Sequence, residues 1–103
     1  MGYSVKVTEH AHDDLDRIVS YIVGELGNPP AALSLLAAVE GVYEKLAGTP
    51  NMYSLCLKPL LSRRGYRRVP IGGYLMIYKV DDEAGLIYIE RFFSHLEDYE
   101  NLL

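Results

Sequence analysis

The chain has 103 residues and a formal net charge of −4, and half of its residues are hydrophobic. This length and composition indicate one globular domain, residues 1–103, and exclude a disordered chain. The net negative charge disfavours general binding of polyanions, because the overall field repels phosphate. The sequence shows no signal-peptide pattern and no apolar run of membrane-spanning length, so we expect a cytoplasmic protein without membrane contact.

The first half of the chain predicts a strand followed by two helices. Residues 3–7 alternate apolar and polar side chains, which is typical of a strand with one buried face. Thr8 stands at a helix N-cap position, and residues 28–32, NPPAA, open a second helix that ends near Gly48. The predicted apolar stripes are Ala11, Leu15, Ile18, Val19, Ile22 and Leu26 in the first helix, and Leu33, Leu36, Val39 or Ala37, Tyr43 and Leu46 in the second.

The second half predicts a meander of three strands. Residues 51–65 lack periodicity and indicate a loop with a short helical turn. The predicted strands and the helix after them cover residues 66–70, 74–80, 86–93 and 95–103. The fold class is therefore α+β with two layers. An N-terminal strand and an α-helical hairpin pack on a mainly antiparallel sheet, in the order β-α-α-β-β-β plus a short C-terminal helix.

A basic cluster interrupts this acidic chain, since four arginines fall within residues 63–68 and residues 58–80 contain no acid. Arg67 and Arg68 are neighbours in a strand, so at most one can face the helices. The other is expected on the open face with Lys79 and Arg91. The cluster has two interpretations: a set of anion contacts, or a solvated basic edge that discourages aggregation.

The sequence gives little support for a metal site, a nucleophilic cysteine or a catalytic pair of carboxylates. His10 and His12 point to different sides of a helix start, and His95 has no acid or cysteine at ligand spacing, so no metal or cofactor is expected. Cys56 lacks an identifiable base and is interpreted as a buried thiol. Three acids near the start of the first helix are interpreted as a solvated face that the helix dipole favours: Asp13, Asp14 and Asp16.

The order of these elements, with the stretches YSVKVTEHAHDDLDRIVSYI, GYRRVPIGGYLMIYKVDDEAGLIYIERFFSH and DYENLL, resembles the RelE/ParE superfamily of toxins from bacterial type II toxin–antitoxin modules. The resemblance implies a compact toxin that inhibits growth and is held inactive, in a toxin–antitoxin hetero-oligomer, by a cognate antitoxin. It also implies one of two targets. The RelE branch cuts messenger RNA on the ribosome, whereas the ParE branch poisons DNA gyrase.

Two departures from the RelE-like pattern favour the ParE-like branch. That pattern places a catalytic arginine directly after the tyrosine of the middle strand, where this chain has Leu75 in YLMIY. Many relatives carry a histidine three residues after the last-strand arginine, where this chain has Ser94. If the chain is nevertheless a ribonuclease, the resemblance implies these catalytic residues: Arg67, Arg68, Arg91, His95 and Tyr99.

The antitoxin is the partner expected in either branch. A small sheet with exposed edges, beside an apolar groove along two helices, invites strand addition or helix docking. An acidic stretch of the antitoxin is expected to pair with the basic cluster, through Arg63, Arg64, Arg67 and Lys79.

Overall fold

The computed structural model describes residues 2–94, in which two helices pack on one face of a four-stranded sheet. The α+β class and the predicted order of elements are confirmed. The predicted helix at 95–103 lies outside the described residues. The elements are β1 (Ser4–Val7), α1 (Glu9–Gly24), α2 (Pro29–Gly48), α3 (Pro59–Arg63), β2 (Tyr66–Ile71), β3 (Tyr74–Asp81) and β4 (Leu86–Ser94).

The sheet has the strand order β1-β4-β3-β2. β2, β3 and β4 form the predicted antiparallel meander, whose two tight turns contain glycines with positive φ, Gly72 and Gly85. β1 pairs in parallel with β4, with Val5 opposite Ile87. The N-terminal strand thus lies beside the last strand and brings the start of α1 close to it.

A β-bulge in β4 decides which way its last residues point. Tyr78 of β3 faces Ile89, whereas the preceding Ile77 faces Arg91, so Glu90 is the extra residue. Alternation from Ile89 without a bulge would turn Arg91 toward the helices. The bulge instead puts Arg91 on the face that α1 and α2 leave uncovered.

α1 begins at the predicted cap. The Thr8 hydroxyl accepts a hydrogen bond from the Ala11 N–H at 3.1 Å and donates one to the Glu90 carbonyl at 3.2 Å. The helix is shorter than its predicted stripe, because it ends at Gly24 and leaves Leu26 57% exposed.

α2 begins where predicted, capped by Asn28, but the predicted stripe was partly wrong. Val39 and Leu46 are buried as expected, whereas Leu33 is 69% exposed. Alanine and leucine occur on several sides of this helix, so its apolar pattern is compatible with more than one rotation. The residues of α2 that are actually buried are Ala32, Leu35, Val39, Val42 and Leu46.

Two hydrophobic clusters lie on opposite faces of the sheet. The larger contains the buried sides of α1 and α2 with Val69, Met76 and Tyr78 of the strands. The smaller lies on the other face, where Leu61 of α3 and the buried Cys56 pack with strand residues, namely Tyr66, Leu75, Ile77 and Phe93. The segment predicted as a loop therefore supplies a partial second cover. Among the described residues, no helix combines the length and apolar character that a membrane span needs.

Candidate functional site

The face of the sheet away from α1 and α2 carries the residues that the sequence singled out; it is called the open face below. Strand register places them in three rows that run across β2, β3 and β4. Each row has one residue from each strand, and the rows are Pro70-Leu75-Phe93, Arg68-Ile77-Arg91 and Tyr66-Lys79-Tyr88. Arg68 and Arg91 thus flank one buried isoleucine, while Leu75 stands in an apolar row beside them.

Leu75 belongs to the apolar packing of the open face. It is half-buried and packs against the cluster that contains Ile77 and Phe93. A leucine side chain offers no hydrogen-bond donor and no charge to a phosphate. The position where the RelE-like pattern has its arginine therefore serves the hydrophobic cover of the sheet.

Arg67 points to the opposite side, toward the larger cluster, where it faces Tyr78 across the strands. Its guanidinium donates a hydrogen bond to the Tyr53 carbonyl at 2.6 Å. The Tyr78 hydroxyl donates to the Pro50 carbonyl at 2.8 Å, and its ring forms a T-shaped pair with the ring of Tyr53. Arg67 and Tyr78 together anchor the segment after α2, so this arginine has a structural task and lies away from Arg68 and Arg91.

Arg91 is held by Asp14 of α1. The Arg91 Nε donates to one carboxylate oxygen at 2.6 Å and its Nη2 donates to the other at 3.2 Å. The same carboxylate accepts the Phe92 backbone N–H at 3.1 Å and pairs with Arg17. The Arg91 guanidinium also lies over the Phe93 ring, 4.6 Å from its centroid.

The solvated face predicted for Asp13, Asp14 and Asp16 was wrong for Asp14, which is only 1% exposed. Its position shows why: Ala11, Asp14, Ile18 and Ile22 follow one another at helical spacing of three or four residues. Asp14 therefore lies on the packed side of α1, whereas Asp13 and Asp16 are exposed. The spacing was a signal that sequence reasoning could have used.

The environment of Asp14 keeps its carboxylate charged. Burial alone would raise the pKa of the carboxyl, but the hydrogen bonds from Arg91 and the Phe92 N–H, with the charges of Arg91 and Arg17, outweigh it and lower the pKa below the ordinary value. On the edge of β4 that β1 occupies, the pairing ends at Ile89, and no other described strand continues it. From there Thr8 and Asp14 take up the backbone groups of β4. Asp14 thus ties α1 to the edge of the sheet.

The remaining basic residues differ in how far they are free to meet a partner. Arg63 and Arg64 end α3 and are exposed, and within residues 2–94 neither forms a side-chain hydrogen bond or ion pair. The Lys79 ammonium lies 5.2 Å from the centroid of the Tyr66 ring. His95 and Tyr99, which were expected to act with the arginines, lie outside the described residues.

An apolar groove lies at the far end of β2, beside the two helices, as expected. It has a volume of about 460 Å³ between the end of α1, the first half of α2 and the β2–β3 turn. Its lining includes Ile22, Leu26, Leu35, Ile71 and Tyr74. A helix with apolar side chains on one face would suit this surface.

The outer edge of β2 is less open to strand addition than the sequence suggested. Cys56 donates its N–H to the Tyr66 carbonyl at 2.9 Å, and Arg68 donates to the Ser54 carbonyl at 3.0 Å. The next residue with the same outward orientation is Pro70, which has no N–H to offer. The backbone of residues 54–56 therefore covers part of this edge, and Pro70 removes one of the donors that a further strand would need.

Comparisons with known proteins agree with this geometry. Residues 5–99 match a family described as the ParE toxin of the type II toxin–antitoxin system, parDE. A chain of the RelBE2 toxin–antitoxin complex from Mycobacterium tuberculosis is similar at 25% identity and a TM-score of 0.64, covering 91% of this chain and 99% of that one. A chain of the chromosomal ParDE system from P. aeruginosa shares the fold, at 23% identity and a TM-score of 0.68, over 89% of this chain and 95% of that one. No curated protein matches the sequence.

Proposed function

Because the chain belongs to the ParE family of toxins from type II toxin–antitoxin systems, we propose that it acts by binding a protein target, with DNA gyrase as the leading candidate, and not by cutting RNA. In this proposal the chain is a growth inhibitor that a cognate antitoxin neutralises in a hetero-oligomer. No cofactor or metal takes part.

The observation that carries the proposal is the position of Leu75 in an apolar row of the open face. Metal-free cleavage of RNA requires a base for the 2′-hydroxyl, stabilisation of the phosphate charge and an acid for the leaving oxygen. A leucine supplies none of these, and its neighbours across the strands, Pro70 and Phe93, supply none either. The centre of the sheet is therefore better suited to packing than to phosphate chemistry.

The arginines support the same conclusion. Arg91 is engaged by a buried carboxylate, and Arg67 lies on the other side of the sheet bound to a backbone carbonyl. A phosphate would have to compete with Asp14 for Arg91, and that carboxylate is already charged and placed for two hydrogen bonds. The two arginines cannot converge on one phosphate without rearranging the fold.

The antitoxin has two surfaces to occupy in this proposal. The apolar groove beside α1 and α2 suits a helix, and Arg63 and Arg64 suit an acidic stretch of the same protein. Both similar structures come from toxin–antitoxin systems, and one is described as a toxin–antitoxin complex. Lys79 lies farther along the open face beside the Tyr66 ring, whereas Arg67 is turned to the other face and bound to the Tyr53 carbonyl.

A ribosome-dependent messenger RNA endoribonuclease is the second candidate. It is favoured by one observation, the row in which Arg68 and Arg91 flank Ile77 on the open face. Under this hypothesis, Arg68 and Arg91 hold the phosphate, and His95 or Tyr99 transfers the proton. This hypothesis requires Arg91 to break its ion pair with Asp14.

Expression of the chain without antitoxin separates the two candidates. We expect growth arrest with filamentation and induction of a DNA-damage reporter, while protein synthesis continues during the first minutes. Co-expression of the cognate antitoxin is the control and should abolish both effects. Abrupt arrest of protein synthesis with cleaved messages would favour the ribonuclease, and unimpaired growth in several hosts would contradict both candidates.

A further inference from the structure

Two exposed leucines lie in the same segment as Arg63 and Arg64, which have no side-chain partner among residues 2–94. Leu57 is 75% exposed and Leu60 is 51% exposed, although a third leucine of the segment, Leu61, is only 5% exposed against the sheet. Single exposed leucines are ordinary on protein surfaces, but leucines grouped beside charged residues are typical of interaction sites.

The geometry of α3 explains the grouping. Leu60 is three residues before Arg63 and four before the C-cap Arg64, so these side chains are neighbours on the surface of this short helix. All three are exposed, whereas Leu61 contacts the sheet. Leu57 immediately precedes the N-cap Lys58 and exposes its side chain as well. Leu57, Leu60, Arg63 and Arg64 are together called the leucine–arginine patch.

We propose that the leucine–arginine patch is the surface with which this toxin binds its protein target, and that the target presents an acidic segment carrying apolar side chains. The inference rests on the proposed function, because it assumes a protein target. The antitoxin blocks the target by covering the two arginines of this patch.

Charge complementarity points to the acidic partner. The stretch from residue 45 to residue 80 contains no acidic residue, and its basic residues are Lys45, Lys58, Arg63, Arg64, Arg67, Arg68 and Lys79. Within the part of the chain that the structure describes, Arg63 and Arg64 donate to no other group, so their guanidinium donors can meet a carboxylate. Burial of the leucines would supply affinity, while the arginines would steer association and fix its register.

Other occupants fit this chemistry less well. Nucleic acid would gain nothing from two leucines, and the net charge of −4 opposes its approach. Within the described residues, the acidic turn at residues 81–85 of a second copy has no apolar side chain larger than Ala84 to meet the leucines. A separate protein with both features is the better match.

The patch and the apolar groove are far enough apart to be tested separately. α3 packs on the open face and precedes the first residue of β2, whereas the groove lies on the helix side at the last residue, Ile71. β2 has six residues, which separates the two by about 20 Å along the strand. An antitoxin anchored in the groove can therefore remain bound when the leucines are changed.

The test is the double variant Leu57→Asn with Leu60→Asn, compared with Leu33→Asn, which changes a leucine that is 69% exposed on α2 and does not line the groove. Loss of colony-forming units on induction should shrink at least about tenfold for the double variant and stay unchanged for the control. Complex formation with the cognate antitoxin and the thermal unfolding curve should remain as in the wild-type chain. The variant Arg63→Glu with Arg64→Glu should also lose toxicity, whereas Arg63→Lys with Arg64→Lys should keep most of it.

Several results would overturn the inference. If the leucine double variant is as toxic as the wild-type chain, the inference is wrong. If that variant is toxic and has also lost its binding to the antitoxin, the patch serves the antitoxin alone. Loss of binding to a labelled single-stranded RNA in the glutamate variant, with toxicity unaffected in the leucine variant, would assign the patch to nucleic acid and overturn it too. If the wild-type chain neither arrests growth nor binds antitoxin, the proposed function fails and the inference falls with it.

Discussion

Replacing Asp14 by asparagine is expected to lower the free energy of unfolding by about 3 kcal/mol at neutral pH, because one change breaks a buried ion pair and several charge-assisted hydrogen bonds. The asparagine oxygen can still accept the Phe92 N–H, but its amide group would face the donors of Arg91. The edge of β4 would lose its tie to α1. Chemical denaturation, followed by circular dichroism, measures the difference.

The stabilisation that the Asp14 carboxylate provides depends on pH, and the sign of this dependence follows from its pKa. The pKa of the Asp14 carboxyl is lowered in the folded chain, so the unfolded chain binds this proton more tightly. The stabilisation is therefore complete above the unfolded pKa, about 3.9 for aspartate, and is lost as the pH falls through the lower folded pKa. The difference in free energy of unfolding between the wild-type chain and Asp14→Asn should therefore become smaller below about pH 4.

Asp13 provides a matched control, since it precedes Asp14 in the same helix and is exposed. Asp13→Asn makes the identical chemical change and should shift the free energy of unfolding by no more than about 0.5 kcal/mol. Equal effects of the two variants would show that helix-dipole electrostatics, and not the contact with Arg91, accounts for the loss.

Charge reversal at Arg63 and Arg64 is expected to weaken binding of the cognate antitoxin by at least about tenfold at low ionic strength. Both guanidinium groups are exposed and unpaired among the described residues, so they can meet an acidic segment without first leaving another partner. The reversed side chains would repel the same segment. Most of the loss should appear in the association rate, which surface plasmon resonance measures directly.

The salt dependence of binding distinguishes this effect from damage to the fold. Added salt should weaken the wild-type complex and leave the variant complex almost unchanged, because screening acts on attraction between exposed charges. Arg17→Glu is a poor control because Arg17 contacts Asp14, whereas Lys6→Glu changes an exposed charge on β1, far along the sheet from β2. The same affinity at every salt concentration, in wild type and variant, would contradict the predicted contact.

The fold was predictable because its signals are local. Alternating residues, turn glycines and helix caps mark each element near its own sequence, and Thr8 and Asn28 cap their helices where expected. The parallel pairing of β1 with β4 joins residues more than 80 positions apart, as Ser4 with Leu86 shows, and leaves no local trace. The buried side of α2 was predicted only in part for a different reason. A helix with apolar residues on several sides does not indicate which side is packed.

The site was less predictable, because its key contacts are made between distant segments. Arg67 donates to a carbonyl in a stretch without periodicity, so nothing in the sequence indicated that it would be engaged. The bulge that turns Arg91 to the open face depends on the register of two strands. Leu75 and Asp14 are different, because the first stood out against the family pattern and the second lies on the apolar stripe of α1.

The contacts of two arginines support the proposal of a protein target over RNA cleavage. Arg67 is used to secure the segment that leads into α3, and Arg91 is used to secure the edge of β4. Both tasks hold the sheet and its cover in place. In the proposed function, α3 and the apolar groove are the surfaces that meet other proteins.

The most direct measurement mixes the purified chain with two purified systems: DNA gyrase acting on relaxed plasmid, and ribosomes translating a defined message. We expect the chain to inhibit supercoiling at near-stoichiometric ratios to gyrase and to leave the message intact, as primer extension would show. Cuts in the message that require the ribosome, with gyrase unaffected by the chain, would contradict it.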